Sequence, residues 1–203
     1  SDGGFIVSGD SSTTLTAGTP ADTITLDSDG NSTVTSGAGN DSVSIVGSGN
    51  NTVTAGTGND TVTNTGSGNS TIDLGTGNDT VTTGAGNDTI TIGSGDFNTD
   101  DLITAGLGTD KVIISGTGNT ITTADQLAGV ETLELAGTGV TIDAAVLTTL
   151  IADKLATITG SSSSSDVIID GTAGAAEIDL TGLTLTTLKS LTATSGSSGD
   201  GKI

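Results

Sequence analysis

Short runs in which polar and apolar residues alternate recur along the first part of the chain, as in Thr61-Val62-Thr63 and Ile90-Thr91-Ile92. A period of two marks a strand with one buried face. The apolar members fall into two columns. One reads Ile24, Val43, Val62, Val81, Ile103, with steps of 19, 19, 19 and 22 residues. The other reads Leu15, Val34, Val53, Ile72, Ile90, Val112, with steps of 19, 19, 19, 18 and 22. Both columns lengthen at the same place, where residues 97–100 read as one inserted, bulging loop.

Glycine punctuates the runs. The segment Gly56-Thr57-Gly58-Asn59-Asp60-Thr61-Val62-Thr63 returns almost unchanged as Gly75-Thr76-Gly77-Asn78-Asp79-Thr80-Val81-Thr82, and variants begin at Gly18, Gly37 and Gly93. A sister segment begins at Ser28, Gly47, Gly66, Gly84 and Gly106. Self-similarity at such a period is the mark of a solenoid. One coil cannot bury its own apolar face, so stacking on its neighbours is obligatory. The pattern predicts an all-β fold over residues 1–122: a parallel β-solenoid of 19-residue coils, with Val and Ile between two opposed sheets.

After Asn119 the repeat changes. Leu133-Glu134-Leu135-Ala136-Gly137, Ala156-Thr157-Ile158-Thr159-Gly160 and Ile178-Asp179-Leu180-Thr181-Gly182 are strand-like and end in glycines spaced 23 and 22 residues apart. Residues 123–203 therefore read as wider, less regular coils that continue the same solenoid. Asp143 is placed to cap a short helix. Val146, Leu147, Leu150, Ile151 and Leu155 then share one helical face. Residues 161–165, all serine, read as a loop.

Composition narrows the chemistry. The chain has 203 residues and no Cys, His, Met, Trp, Tyr or Arg, and Phe5 and Phe97 are its only aromatic residues. A Ser-His-Asp or Cys-His catalytic arrangement is impossible with this set. Carboxylate pairs exist, but they sit at repeating positions rather than converging on one asymmetric site, so an enzyme is not expected. The net charge is −20, with only Lys111, Lys154, Lys189 and Lys202 opposing it. Without a basic patch, neither nucleic acid nor an anionic membrane surface is an expected partner. No apolar run reaches membrane-spanning length. No signal-peptide pattern is present, and the chain opens on Ser1, as a processed protein or a piece of one would.

The acidic residues are regularly spaced, as a merely solubilising charge would not require. The fifth position of the first unit holds Asp22, Asp41, Asp60, Asp79 and Asp101. Stacked coils bring these carboxylates into one column, where like charges repel unless a cation lies between them. Calcium takes 6–8 oxygen ligands, carboxylate or carbonyl, and a glycine-rich turn exposes its carbonyls. Candidate ligands are thus those Asp residues with the turns at Gly37, Gly39, Gly56, Gly58, Gly75 and Gly77. The sister column reads Ser32, Asn51, Ser70, Asp88, Asp110. Neutral hydrogen-bonded ladders are expected there, with cation sites only near Asp88 and Asp110. Asp and Asn are also ordinary turn formers. Were that all, they would interchange on both edges, whereas the first edge keeps Asp in every coil.

These segments resemble the RTX nonapeptide motif, Gly-Gly-x-Gly-x-Asp-x-apolar-x, which forms a calcium-binding parallel β-roll. The resemblance covers roughly residues 1–122 and departs from the motif in two respects: the leading double glycine is single, and the sister edge has largely lost its Asp. It implies several bound Ca²⁺ ions and a bacterial protein exported to the cell surface or matrix. The Thr/Ala/Ser-rich second half is similar in composition to coils of RTX-containing S-layer proteins.

Three roles are compatible with such a chain. Repeat-like residues start at once, and no cap is visible at Lys202-Ile203. Copies of the chain are therefore expected to stack head to tail into a filament, S-layer or biofilm matrix, with cell-surface polysaccharide as a further candidate partner. Outward Thr pairs such as Thr61/Thr63 and Thr52/Thr54 resemble those of ice-binding solenoids, including the ice-binding segment of a giant RTX adhesin. A stalk or secretion module of a larger RTX adhesin is the third.

Overall fold

The computed structural model describes residues 3–9, 11–93, 96–160, 166–171, 184–188 and 190–195. The expected strand at 178–182, the serine loop at 161–165 and the last residues of the chain lie outside these. Every strand pairing is parallel and in register. The fold is a parallel β-solenoid carrying one short α-helix.

A first sheet stacks the strands Gly4–Gly9, Thr23–Ser28, Ser42–Ile45, Thr61–Asn64, Thr80–Thr82 and Leu102–Thr104 in that order. A longer second sheet runs from Thr14–Thr16 through Thr33–Ala38, Thr52–Thr57, Thr71–Thr76, Thr89–Ile92, Lys111–Thr117, Thr132–Thr138 and Thr157–Gly160 to Thr184–Thr186. Each coil crosses from one sheet to the other, so consecutive strands of a sheet are one coil apart. The two apolar columns become columns of paired residues. Val43 lies beside Val62, Val62 beside Val81, and Val81 beside Ile103. On the opposite sheet Val34, Val53, Ile72, Ile90 and Val112 follow one another and are fully buried. Burial of each such side chain contributes about 1.5–3 kcal/mol, and a continuous core links Ile24 to Ile169.

The residues at 97–100 do not simply bulge. Phe97 turns inward and is 1% exposed. Its N–H donates to Asn119 Oδ1 at 3.0 Å, and its carbonyl accepts the Thr120 N–H. An aromatic ring fits here because the coil widens at this point. Beyond it a third sheet begins, made of Thr120–Ile121, Val140–Asp143, Asp166–Gly171 and Ser190–Ser195. Helical segments take over the side vacated by the first sheet. A 3₁₀ turn, Ala124–Leu127, leads to Ala128, whose N–H donates to the Ile103 carbonyl. Helix α1, Ala144–Asp153, follows one coil later. The Asp143 carboxylate caps α1 by accepting the N–H groups of Ala145 and Val146. Leu147, Leu150 and Leu155 are buried, and Val146 and Ile151 are partly buried against them. The longer period thus comes from adding a third side to each coil. The second sheet passes unbroken through the change.

Candidate metal centre: two carboxylate ladders at the solenoid edges

The turns joining the sheets stack into two edges, and each edge carries a ladder of side chains. On the first edge Asp22, Asp41, Asp60, Asp79 and Asp101 stand one above another, all 2–4% exposed. Each reaches back to the preceding coil. Asp41 Oδ1 accepts the Asp22 N–H, Asp60 Oδ1 the Asp41 N–H, Asp79 Oδ1 the Asp60 N–H, and Asp101 Oδ1 the Asp79 N–H, at 2.7–2.8 Å. The neighbouring Asn residues point the other way: Asn40 Oδ1 accepts the Asn59 N–H, and Asn59 Oδ1 the Asn78 N–H. Two ladders of opposite sense thus stitch the coils together. The neutral ladder expected on the sister edge alone runs on both edges, since Asn31, Asn50, Asn69 and Asn87 do the same there.

One Asp oxygen is thereby satisfied and the other is not. Oδ2 of Asp41 and of Asp60 is buried without a hydrogen-bond partner. A buried, unpaired carboxylate oxygen is costly. Burial raises the Asp60 carboxyl to about 6, against the lowering effect of the Asp41 N–H and together with repulsion from the Asp41 carboxylate. Burial raises Asp79 to about 7, with Asp60, Asp101 and Asp96 adding like-charge repulsion. Asp101 is also raised, by burial first.

The ends of this ladder are different. Asp22 uses both oxygens on backbone, accepting the N–H groups of Gly3 and Gly18. Its turn has Pro20 where those of Asp41, Asp60 and Asp79 have glycine, and proline cannot take the positive φ found in those turns. Asp101 accepts the Asn98 N–H with its second oxygen.

Gly37, Gly56 and Gly75 open these turns, and Gly39, Gly58 and Gly77 precede the Asn-Asp pair; all six have φ between 83° and 134°. Gly58 shows why no other residue serves. Its φ is 130°, and a Cβ there would collide with the carbonyl oxygen of Gly39 in the coil below. Glycine oxygens are therefore packed along the edge beside the carboxylates.

The sister edge changes character part-way. Ser32 accepts the Thr13 N–H, and Asn51 Oδ1 accepts the Ser32 N–H. The Asn51 amide in turn donates to the Gly49 carbonyl. In the next coil Asn64 serves its own turn, donating to Ser70 Oγ and accepting the Gly66 N–H. These rungs are neutral and saturated. Then Asp88 Oδ1 accepts the Ser70 N–H and Asp110 Oδ1 the Asp88 N–H, with Oδ2 of both buried and unpartnered. Burial raises both carboxyls. Gly86 and Gly108, each two residues before its Asp, now have φ of 122° and 140°.

Unit length governs this change. Residues 33–41, 52–60, 71–79, 80–88 and 102–110 are nine-residue units, and each ends in Asp. Residues 23–32, 42–51 and 61–70 are ten-residue units, and each ends in Ser or Asn. The extra residue lets the turn close without a positive φ at Gly30, Gly49 or Gly68. This signal stands in the sequence as the 18-residue step from Ile72 to Ile90. A further ladder member was less visible. Glu131, directly before a strand as Asp88 and Asp110 are, accepts the Asp110 N–H through Oε2 at 2.7 Å.

Among the described residues no three His, Cys, Asp or Glu side chains converge on one point. A cation held here must draw largely on backbone carbonyls. Calcium does so readily, while zinc and copper favour nitrogen and sulfur. The unpartnered oxygens of Asp41, Asp60, Asp88 and Asp110, beside stacked glycine carbonyls, fit a hard divalent cation. They would hold it, and the cation would supply the charge that the buried carboxylates lack.

Fold and ladder together define a calcium-binding parallel β-roll. The family model described as RTX calcium-binding nonapeptide repeat (4 copies) matches residues 26–44, 45–63 and 64–96. That match and the parallel solenoid support an RTX β-roll over that span, with Ca²⁺ the ion that such repeats bind. No curated protein and no solved structure matches the chain. RTX repeats are typical of secreted, non-enzymatic proteins. No helix among the described residues is long and apolar enough to cross a membrane.

Proposed function

We propose that the protein is an extracellular structural element, a calcium-stabilised subunit that stacks with copies of itself into a filament, S-layer or biofilm matrix. The repetition of the cation site carries this reading. A converging set of unlike groups would serve catalysis, whereas a ladder that repeats once per coil makes the rod itself conditional on calcium. The strand Gly4–Gly9 supports assembly. It pairs in parallel with Thr23–Ser28, and Ile6 on it is 80% exposed. An exposed apolar side chain on a parallel strand favours contact with another copy. Such a contact is heterologous and propagates.

Electron microscopy of the purified protein, with calcium and then with EGTA, tests this. Ordered filaments or sheets with calcium that disperse on chelation are expected. Monomers in both conditions would remove the assembly role.

The exposed columns favour a second reading, ice binding. Thr23, Ser42, Thr61 and Thr80 stand in register on one sheet, as do Thr14, Thr33, Thr52 and Thr71 on the other. Thermal hysteresis at millimolar calcium distinguishes this role from assembly.

A further inference from the structure

The sister-edge ladder ends on a lysine. Its last carboxylate, Glu131, accepts the Asp110 N–H through Oε2 and faces Lys154 Nζ with Oε1 at 3.3 Å. The same ammonium donates to the Gly106 carbonyl at 2.9 Å. Gly106 opens the last nine-residue turn of this edge. In the two coils before it, the corresponding carbonyls of Gly66 and Gly84 accept N–H groups of the next turn, from Ala85 and Leu107. In the next coil the turn is shorter: three residues, 129–131, separate Ala128, which pairs with Thr104, from the strand Thr132–Thr138, and the Gly129 N–H goes to the Asp153 carboxylate instead. The Gly106 oxygen would be left facing a carboxylate, beside Asp110, whose Oδ2 is fully buried and unpartnered. Lys154, directly after helix α1, fills that position from 48 residues away in sequence.

We propose that Lys154 is a built-in cation that closes the sister-edge calcium ladder. Its ammonium occupies a latent divalent-cation site formed by the Gly106 carbonyl and the Glu131 carboxylate, with the Asp110 carboxylate close enough to feel its charge. The reasoning is one of charge and ligand type. Carbonyl and carboxylate oxygens are the ligands that calcium takes. An ammonium offers only hydrogen-bond donors and a positive charge, so it satisfies the Gly106 and Glu131 oxygens directly and acts on Asp110 through its charge alone, without needing a metal. The last rung before the three-sided coils then stays neutralised when calcium is scarce. Lys111, by contrast, pairs with Glu134 on the face of the second sheet at 3.0 Å and touches no turn carbonyl that the ladder uses.

The proposal rests on calcium binding at the Asp88 and Asp110 rungs, so the test measures that in parallel. Calcium bound per chain is counted by equilibrium dialysis and calorimetry for the full chain and for K154M, K154R and K154M/E131Q. K154M should bind one more Ca²⁺ than the parent, K154R the same number as the parent, and the double variant should lose the extra ion. In EGTA, K154M should melt below the parent, and calcium should remove the difference. Equal stoichiometry in parent and K154M overturns the proposal and leaves Lys154 an ordinary surface ion pair. So does a K154M chain that stays unfolded at saturating calcium, since the ion should replace the ammonium. A parent that binds no calcium would instead overturn the calcium ladder itself.

Discussion

Asp60 Oδ1 accepts the backbone N–H of Asp41 at 2.8 Å, while its Oδ2 is buried with no partner. One side chain thus does two jobs, stitching coils with one oxygen and waiting for a cation with the other. The substitution D60N separates them. An Asn carbonyl still accepts the Asp41 N–H, but the negative charge is gone. Without calcium at pH 8, D60N should be more stable than the parent by about 1–3 kcal/mol, because a buried unpaired charge has been removed. At saturating calcium the order should reverse, and one fewer ion should bind. Thermal melts by circular dichroism in EGTA and in calcium read both signs. Destabilisation in both conditions would mean that Oδ2 serves no cation.

The same burial sets a pH dependence. An unfolded Asp titrates near ~3.9, whereas Asp60 lies at about 6 and Asp79 at about 7 in the fold. Their folded values are raised, so the folded chain holds these protons more tightly. The resulting stability is fully present below pH ~4 and is lost as pH rises through 6 to 7. Asp88, Asp101 and Asp110 shift in the same direction. Metal-free protein should therefore melt at a higher temperature at pH 5 than at pH 8. Calcium competes with these protons, so its affinity should rise over the same interval. A metal-free melting temperature that climbs from pH 5 to pH 8 would contradict the ladder's electrostatics.

Phe97 is the one aromatic ring in the buried core, at the point where two-sided coils become three-sided. F97A should cost about 3–5 kcal/mol, the usual range for emptying such a site. Solenoid stability is close to a sum over neighbouring coils, so the loss should be local. Hydrogen exchange should speed up around Leu102–Thr104 and Thr120–Ile121 while Val43 and Val53 stay protected. Uniform acceleration along the rod would show that the coils unfold as one unit.

Much of this molecule was legible in the sequence, for a physical reason. A stacked coil places residue i beside residue i+19, so the columns of Val and Ile, and of Asp, are contacts written directly as spacings. The cap of α1 by Asp143 was equally local and equally readable. What the spacing could not supply was direction and destination. That each ladder Asp reaches back to the preceding coil, while the Asn directly before Asp41 or Asp60 reaches forward, depends on side-chain geometry within the turn. Phe97 has no repeat partner to say that it points inward. Glu131 and Lys154 meet only because the chain passes through a third sheet between them. The contrast between nine- and ten-residue units was present in the numbering, but its meaning emerged from the φ of Gly86 against that of Gly49 and Gly68.

That contrast can be turned into a construction. The unit 61–70 is neutral because its tenth residue lets the turn close around Asn64 and end at Ser70. Deleting Thr65 shortens it to nine, and S70D restores the carboxylate found in every nine-residue unit of either edge. Gly66 and Gly68 already stand where the turn needs them, directly over the carbonyls of Gly47 and Gly49. The new Asp would lie one rung before Asp88, whose Oδ1 already accepts the N–H at that position. The combined variant should bind one more calcium ion than the parent. Its melting temperature should fall in EGTA, since another buried carboxylate has been added, and recover with calcium. S70D alone, in a ten-residue turn without the positive-φ glycine, should lose stability and gain no ion. If S70D alone gained the ion as readily as the shortened variant, unit length would have no part in making the site. The nine-residue turn would then be a correlate of the carboxylate rather than its cause.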